Sequence, residues 1–274
     1  DAAGVTVLTY HALALRLTGT SLAGLAARGA EVDFEGILDR ALALLDGRGE
    51  ANGDGTIDGA NEGDELRERL LAGYRHILVD EYQDIDARQY RLIAALAGRR
   101  LQDRDARLTL LAVGDDDQNI YAFRHTSNEF IHRFQTDYDA STDYLVENYR
   151  SSAHIIAAAN AVIAGSPGRL KADHPIRINH ARRNDPPGGR WERLDALAGG
   201  RVHVLAVPRD IRAQAAVVMA ELSRLKALDA GADWSDFAVL ARNRASLAPI
   251  RAWCELEGVR CRATERDGGQ PRLH

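Results

Sequence analysis

Residues 77–84 read ILVDEYQD: three aliphatic residues run directly into two adjacent carboxylates, Asp80 and Glu81. The aliphatic run predicts a buried strand. Ligands of parallel α/β sheets bind beyond the carboxyl ends of the strands. One carboxylate there can hold Mg²⁺, and its neighbour can orient or deprotonate a water. The stretch therefore predicts half of a nucleotide-hydrolysis site, and the alternative is a strand that ends in a solvated acidic turn.

The composition is that of a globular protein with one large or two ordinary domains: 274 residues, 45% hydrophobic and 27% charged. The net charge of −5 argues mildly against a bulk nucleic-acid binder, although a groove can be locally basic. We find neither a membrane span nor a secretory signal. Cys254 and Cys261 are too few for a disulfide framework or a zinc cluster. We expect a cytoplasmic protein with free thiols and, since it begins without Met, a processed product or an excised fragment.

Apolar runs alternating with helical patterns predict a parallel α/β sheet. The strand candidates are residues 5–9, 76–80, 109–113, 142–147, 201–207 and 236–241. The clearest helix is 210–228, whose apolar residues form one stripe, and Ser151-Ser152 can cap a helix that follows. Segments 46–64 and 179–200 are rich in turn residues and predict loops or connections.

A second apolar strand ends in a polar cluster within LLAVGDDDQNIYAFR, residues 110–124. Gln118 can reach a phosphate or a water from the end of that strand. Tyr121, Phe123 and Arg124 form the combination of aromatic and basic side chains that stacks on single-stranded nucleic acid. Two alternatives remain open: the aromatics belong to the core, or Gly-Asp-Asp is a polymerase-type metal site.

A third strand end lies in LVENYRSSAHIIAAAN, residues 145–160. Tyr149 can stack on a base, and Arg150 can neutralise charge on a transferring phosphoryl group. The alternative is an ordinary junction between a strand and a helix.

These three stretches, in this order, closely resemble the UvrD/Rep/PcrA-type branch of superfamily 1 DNA helicases. ILVDEYQD looks like motif II, AVGDDDQNIYAFR like motif III and ENYRSS like motif IV. VLTYHALALR (7–16) resembles the family's segment near bound DNA, and residues 234–263 look like the early second motor domain. The resemblance implies a RecA-like parallel sheet in a partial first motor domain, 1–143, with a short accessory insertion at about 20–72. The start of a second RecA-like domain would occupy 144–274.

The resemblance also implies roles for single residues. Asp80 would serve Mg²⁺ and Glu81 would be the catalytic base. Gln118 and Arg150 would contact the γ-phosphate of ATP, while Tyr149 would stack on adenine. The residues implied to meet single-stranded DNA are Tyr121, Phe123 and Arg124, with Tyr10 and His11 nearby. ATP and Mg²⁺ are thus the implied cofactors, single-stranded and duplex DNA the implied partners, and DNA unwinding, as in DNA repair, the implied activity.

A phosphate-cradling loop, G-x-x-x-x-G-K-[ST], does not occur in this sequence. The lysines, Lys171 and Lys226, both lie in other contexts. The family's late motifs are also missing after residue 263. We therefore expect a piece of a longer helicase that does not hydrolyse ATP alone. The alternative is a non-catalytic module that binds single-stranded nucleic acid or a protein on a helicase scaffold.

Residues 50–62, EANGDGTIDGANE, resemble a calcium-binding EF-hand or dockerin-type loop. The candidate ligands are Glu50, Asn52, Asp54, Asp58 and Asn61. Position 1 of such a loop is normally Asp and position 12 normally a bidentate Glu, so two ligands depart from the pattern. The alternative is a flexible Gly/Asp turn.

Overall fold

The computed structural model describes residues 4–21, 33–46, 50–51, 55–56, 60–99, 101, 103, 105–120, 128–207 and 209–262. Of these, 50–51, 55–56 and 60–63 are described by their backbone alone. The chain divides into two compact units. The first comprises Asp1–Tyr144 and Pro167–Asp173, and the second comprises Leu145–Ser166 and His174–His274.

Helices make up most of the first unit. They are α1 (Tyr10–Leu17), α2 (Phe34–Leu45), α3 (Ala60–Leu70), α4 (Ala87–Leu96) and α5 (Glu129–Tyr138). Side-chain caps define where three of them begin, because an oxygen at the N-cap satisfies an amide that has no partner within the helix. Thr9 caps α1, Asp33 caps α2, and Asp86 forms a capping box with Gln89 at α4.

Two short sheets accompany these helices. Strands β1 (Glu50–Ala51) and β2 (Gly55–Thr56) pair antiparallel. Strands β3 (His76–Val79) and β4 (Thr109–Ala112) pair parallel, which confirms the strands predicted at 76–80 and 109–113. The strand predicted at 5–9 is wrong, because these residues form no strand pairing in the structure.

The core of the first unit lies between the helices and one face of the β3–β4 pair. One cluster joins α1, α2 and α4 through residues such as Ala14, Ile37 and Leu92. A second cluster packs Val79 and Tyr82 against residues of α4 and α5. Ile77 contacts both clusters. The strand pair is therefore anchored on the side where Ile77 and Val79 point.

The second unit contains β5 (Glu147–Asn148) and β6 (Arg177–Ile178), which pair parallel. Its helices are α6 (Ala153–Ile163), α7 (Trp191–Leu194), α8 (Ile211–Leu228) and α9 (Ala248–Leu256). Helix α8 confirms the apolar stripe at 210–228. Helix α6 follows Ser152, but the Ser152 side chain makes no capping hydrogen bond, so that part of the prediction is wrong.

Further predictions about the second unit and the loops also need correction. Residues 201–207 and 236–241 form no strand, and their side chains Val204 and Leu240 are 94% and 93% exposed. Of the strand predicted at 142–147, Glu147 alone is in β5. The segment 46–64 contains β1, β2 and the first turn of α3, and the segment 179–200 contains α7, so neither is wholly loop. The architecture is mixed α/β with small parallel sheets.

Two glycine pairs hold segment 179–200 together by a close backbone approach. A Cβ on Gly188 would lie 2.0 Å from the carbonyl oxygen of Gly199, and a Cβ on Gly200 would lie 2.2 Å from that of Gly188. Side chains larger than hydrogen do not fit at either position.

None of the helices in the described part of the chain is both long and apolar enough to cross a membrane.

Gly188→Ala should destabilise the second unit by about 1–3 kcal/mol, because the added methyl group forces two backbone segments apart. Chemical unfolding followed by circular dichroism measures the loss. Gly165→Ala is the matched control, since a Cβ there meets no atom within 4 Å. Equal stability of the two variants would show that the backbone at Gly188 does not approach the backbone at Gly199 and Gly200 closely.

Candidate active site

The ends of β3 and β4 lie side by side, and their pairing continues past both strands. The amide of Val113 donates to the carbonyl of Val79 at 2.8 Å, and the amide of Tyr82 donates to the carbonyl of Val113 at 2.9 Å. Asp80 and Glu81 therefore follow β3 at the same sheet edge at which Asp115 follows β4. This is the edge where ligands of parallel sheets bind.

Gln83 connects these two strand ends through its buried side chain, which is 1% exposed. Its Nε2 donates to Glu81 Oε2 at 2.7 Å, and its Oε1 accepts from the Asp115 amide at 3.0 Å. Its backbone carbonyl accepts from Asn119 Nδ2 at 2.8 Å. Sequence reasoning missed Gln83, and the signal available was a polar residue placed two positions after the candidate base.

Gly114 allows Gln83 to approach the end of β4. A Cβ at this position would lie 2.8 Å from Gln83 Oε1 and 3.2 Å from the amide nitrogen of Tyr82. The second of these atoms belongs to the backbone and cannot rotate away. A larger residue at 114 would therefore force the two strand ends to shift.

Glu81 adopts a left-handed backbone conformation, with φ 52° and ψ 46°. Such a conformation costs a residue other than glycine of the order of 1–3 kcal/mol and recurs at functional sites. The Glu81 amide donates to Asp80 Oδ1 at 3.0 Å. The turn leaves both residues exposed while one oxygen of Glu81 contacts Gln83.

Gln118 belongs to the same hydrogen-bonded group. Its Nε2 donates to Asp115 Oδ2 at 2.8 Å. A continuous series of contacts therefore runs from Glu81 through Gln83 and Asp115 to Gln118. The structure brings together three of the predicted site residues, Asp80, Glu81 and Gln118.

The three consecutive aspartates, Asp115, Asp116 and Asp117, offer oxygens that all lie within 4.8 Å of one another. Cations already neutralise two of them: Lys171 Nζ lies 2.6 Å from Asp115 Oδ1, and Arg169 forms a bidentate pair with Asp117. The hydrogen bond from Arg169 is the main reason that the pKa of Asp117 is below its usual range. This pairing argues against a polymerase-type metal site at Gly-Asp-Asp.

Asp80 has the chemistry that a magnesium ligand requires. Its carboxylate is exposed at the sheet edge, and its Oδ1 accepts only a single backbone bond among those described. Mg²⁺ prefers hard oxygen ligands and keeps several waters. The residues present thus fit a magnesium ion that Asp80 would hold and that would neutralise phosphate charge.

Tyr149 and Arg150 lie in the second unit, directly after β5. Asn148 Oδ1 accepts from the amides of Arg150 at 3.0 Å and Ser151 at 2.7 Å, so it orders the turn that carries them. Arg182 Nη1 donates to the carbonyl of Tyr149 at 2.7 Å. The Tyr149 residue is 69% exposed, so its ring is accessible to a flat ligand. Sequence reasoning missed Asn148 and Arg182.

Tyr10 and His11, predicted near DNA, lie at the start of α1. Tyr10 packs against both core clusters and its hydroxyl is buried, which raises its pKa to about 12. His11 packs edge-to-face on Phe34, with ring centroids 5.2 Å apart. Their DNA contacts stay predictions.

Several predicted site residues lie outside the part of the chain that the structure describes. They are Tyr121, Phe123, Arg124, Asn52, Asp54 and Asp58, together with the side chains of Glu50 and Asn61.

Cys254 and Cys261 are both free thiols, the first buried and the second exposed. This confirms the expectation from the cysteine count.

Comparison with known proteins gives a family match and several relatives. Residues 6–139 match the UvrD/REP helicase N-terminal domain family. ATP-dependent DNA helicase UvrD1 of Mycobacterium tuberculosis is 40% identical over 137 residues, which are 46% of this chain and 18% of that protein. Putative ATP-dependent DNA helicase YjcD of Bacillus subtilis is 34% identical over 179 residues, 65% of this chain and 20% of that protein. ATP-dependent DNA helicase Rep of Escherichia coli is 42% identical over 105 residues, which are 38% of this chain and 15% of that protein. The chain spans a fifth or less of each relative.

Gln83→Met should lower stability by about 1–3 kcal/mol, because it leaves the half-buried Asp115 amide without this acceptor while keeping the side-chain volume similar. Urea unfolding measures the change. Gln135→Met, at an exposed position on α5, should change stability by less than about 0.5 kcal/mol. A Gln83 variant as stable as the Gln135 control would contradict the bridging role.

Proposed function

This chain belongs to the UvrD/Rep helicase family through residues 6–139, and on that premise we propose that it carries the water-activating part of the ATP site of a DNA helicase. In this proposal the β3–β4 pair is part of a RecA-like sheet in a first motor domain, and residues from 144 onward begin a second. The whole activity would be ATP-driven translocation on single-stranded DNA and unwinding of the duplex.

The observation that carries the proposal is the hydrogen-bonded series from Glu81 to Gln118. A general base must present its carboxylate to a water in a defined orientation. One oxygen of Glu81 accepts from Gln83, which is itself anchored on the backbone of Asp115. The other oxygen is available to take a proton from a water. Gln118 lies at the opposite end of the series, with an amide that can contact a phosphate oxygen.

Asp80 would hold Mg²⁺, and the ion would supply positive charge that offsets the negative charge of the phosphates. The exposed Tyr149 would stack on adenine, and Arg150 would stabilise charge on the γ-phosphate. The ordered turn at Asn148 supports both roles, because it limits the directions that these side chains can take.

DNA contact is proposed for Tyr121, Phe123 and Arg124. Aromatic rings that stack on bases contribute about 1–3 kcal/mol per base. His11, half-buried at the start of α1, is proposed to lie near the same strand. The support is the order of residue types in the sequence and the helicases among the relatives.

A chimeric protein, here called the mycobacterial graft, tests the enzymatic proposal. In it, residues 6–139 of this chain replace the aligned segment of helicase UvrD1 of Mycobacterium tuberculosis. Its DNA-stimulated ATP hydrolysis is then measured. The graft should be active, and Glu81→Gln should lower its kcat by about 100-fold or more, because it removes the base. The glutamine keeps an oxygen that can accept from Gln83.

Glu65→Gln, an exposed residue of α3, serves as the matched control and should retain activity. An active graft in which Glu81→Gln hydrolyses ATP normally would refute the role of Glu81. A folded graft that binds single-stranded DNA without hydrolysis would favour the alternative, a non-catalytic binding module.

The isolated 274-residue chain should show no ATP hydrolysis above background, with or without single-stranded DNA, because the sequence has no phosphate-cradling loop. Release of inorganic phosphate from ATP is the measurement. DNA-stimulated release that disappears in Glu81→Gln would contradict this expectation.

A further inference from the structure

Residues 167–173, here called the return segment, belong to the first unit, although the chain on both sides of them belongs to the second. The return segment contacts the three aspartates that follow β4, residue by residue and in reverse order. Arg169 pairs with Asp117, the Leu170 amide donates to Asp116 Oδ2 at 2.7 Å, and Lys171 pairs with Asp115. Three consecutive residues thus serve three consecutive carboxylates.

The contacts are largely shielded from water. The side chains of Arg169 and Lys171 are 12% and 14% exposed, and those of their partners Asp117 and Asp115 are 12% and 20% exposed. Charged pairs in such surroundings are screened less by salt than surface pairs. Removal of one partner leaves the other charge without its ion pair at a site only partly open to water. The return segment therefore has an electrostatic role that a surface ion pair would not have.

Asp115 is the point at which this segment meets the candidate active site. Its Oδ1 lies 2.6 Å from Lys171 Nζ, and its Oδ2 accepts from Gln118 Nε2 at 2.8 Å. Its amide donates to Gln83, which holds Glu81. Without the lysine charge, Asp115 would be repelled by Asp116, which has an oxygen within 4.8 Å, whereas Asp117 would stay paired with Arg169. The Asp115 carboxylate would then move away from the position that orients Gln118.

We propose that Lys171 is a positioning residue for Gln118, acting through Asp115, and that the return segment keeps the glutamine amide aimed at its substrate. Arg169 anchors the segment through its bidentate pair with Asp117. The catalytic meaning of this arrangement rests on the proposed ATPase function, but the positioning itself is a property of the chain and can be measured without nucleotide.

Nuclear magnetic resonance of the 274-residue chain tests the positioning. Glutamine side chains are labelled with ¹⁵N, and the Gln118 amide signals are assigned by their loss in Gln118→Met. Lys171→Met should shift these signals towards those of a free glutamine, and Lys171→Arg should restore them. Lys226→Met, which removes the other lysine of the sequence, should leave them unchanged. Far-ultraviolet circular dichroism reports that each variant is folded.

Unchanged Gln118 signals in folded Lys171→Met would overturn the inference, as would an equal shift in Lys226→Met. If Lys171→Met does not fold, Lys171→Gln gives the same comparison, because it keeps a donor without the charge. A second readout uses the mycobacterial graft extended to residues 6–173. Lys171→Met should lower kcat by about tenfold, the direction expected for a transition-state interaction, with KM for ATP unchanged and with rescue by Lys171→Arg.

The two readouts separate the possible failures. A graft in which Glu81→Gln is fully active refutes the proposed function and leaves the Gln118 signals as the test of positioning. An active graft with normal kcat in Lys171→Met refutes the role of Lys171 and leaves the proposed function intact.

Discussion

The candidate site depends on one buried amide. Gln83 lies between the ends of two parallel strands and bonds to the Glu81 carboxylate on one side and to the Asp115 backbone on the other. Leaving a buried polar group without partners costs about 1–3 kcal/mol, so this arrangement favours a single register of β3 against β4. A slip by one residue would break both bonds and turn Val79 out of the core. The same hydrogen bond from Gln83 holds the side chain of Glu81, whose backbone is in the left-handed conformation.

Sequence reasoning located the strand ends but not what joins them. The solid aliphatic runs at 76–80 and 109–113 predicted two parallel strands, and the carboxylates after them predicted the site edge. The prediction that these strands are buried holds for one face alone, because Leu78 and Leu111 are 72% and 54% exposed. Gln83 carries no periodic signal, because a buried glutamine in a turn looks like any polar loop residue. The contacts of Arg169 and Leu170 join residues 52 and 54 positions apart. Such contacts depend on the path of the chain between them, which no local pattern records.

Strand predictions failed where apolar runs had no partner strand. Residues 5–9, 201–207 and 236–241 have the composition of strands, yet a strand exists only where a neighbour supplies hydrogen bonds. Residue type was also an incomplete guide to role at Tyr10, whose hydroxyl is buried within the core of the first unit. Tyr149, a residue of the same type, is largely exposed. Exposure, which the sequence does not encode locally, is what separates a packing aromatic from one that can bind a ligand.

We propose that the ends of β3 and β4 act as one catalytic unit. A double-mutant cycle between Glu81 and Gln118, measured as kcat for DNA-stimulated ATP hydrolysis in the mycobacterial graft, tests it most directly. Residues that act together give strongly non-additive effects. The account predicts that Glu81→Gln combined with Gln118→Ala loses little more activity than Glu81→Gln alone. Losses that multiply in the double variant would show that the two strand ends act independently and would contradict the account.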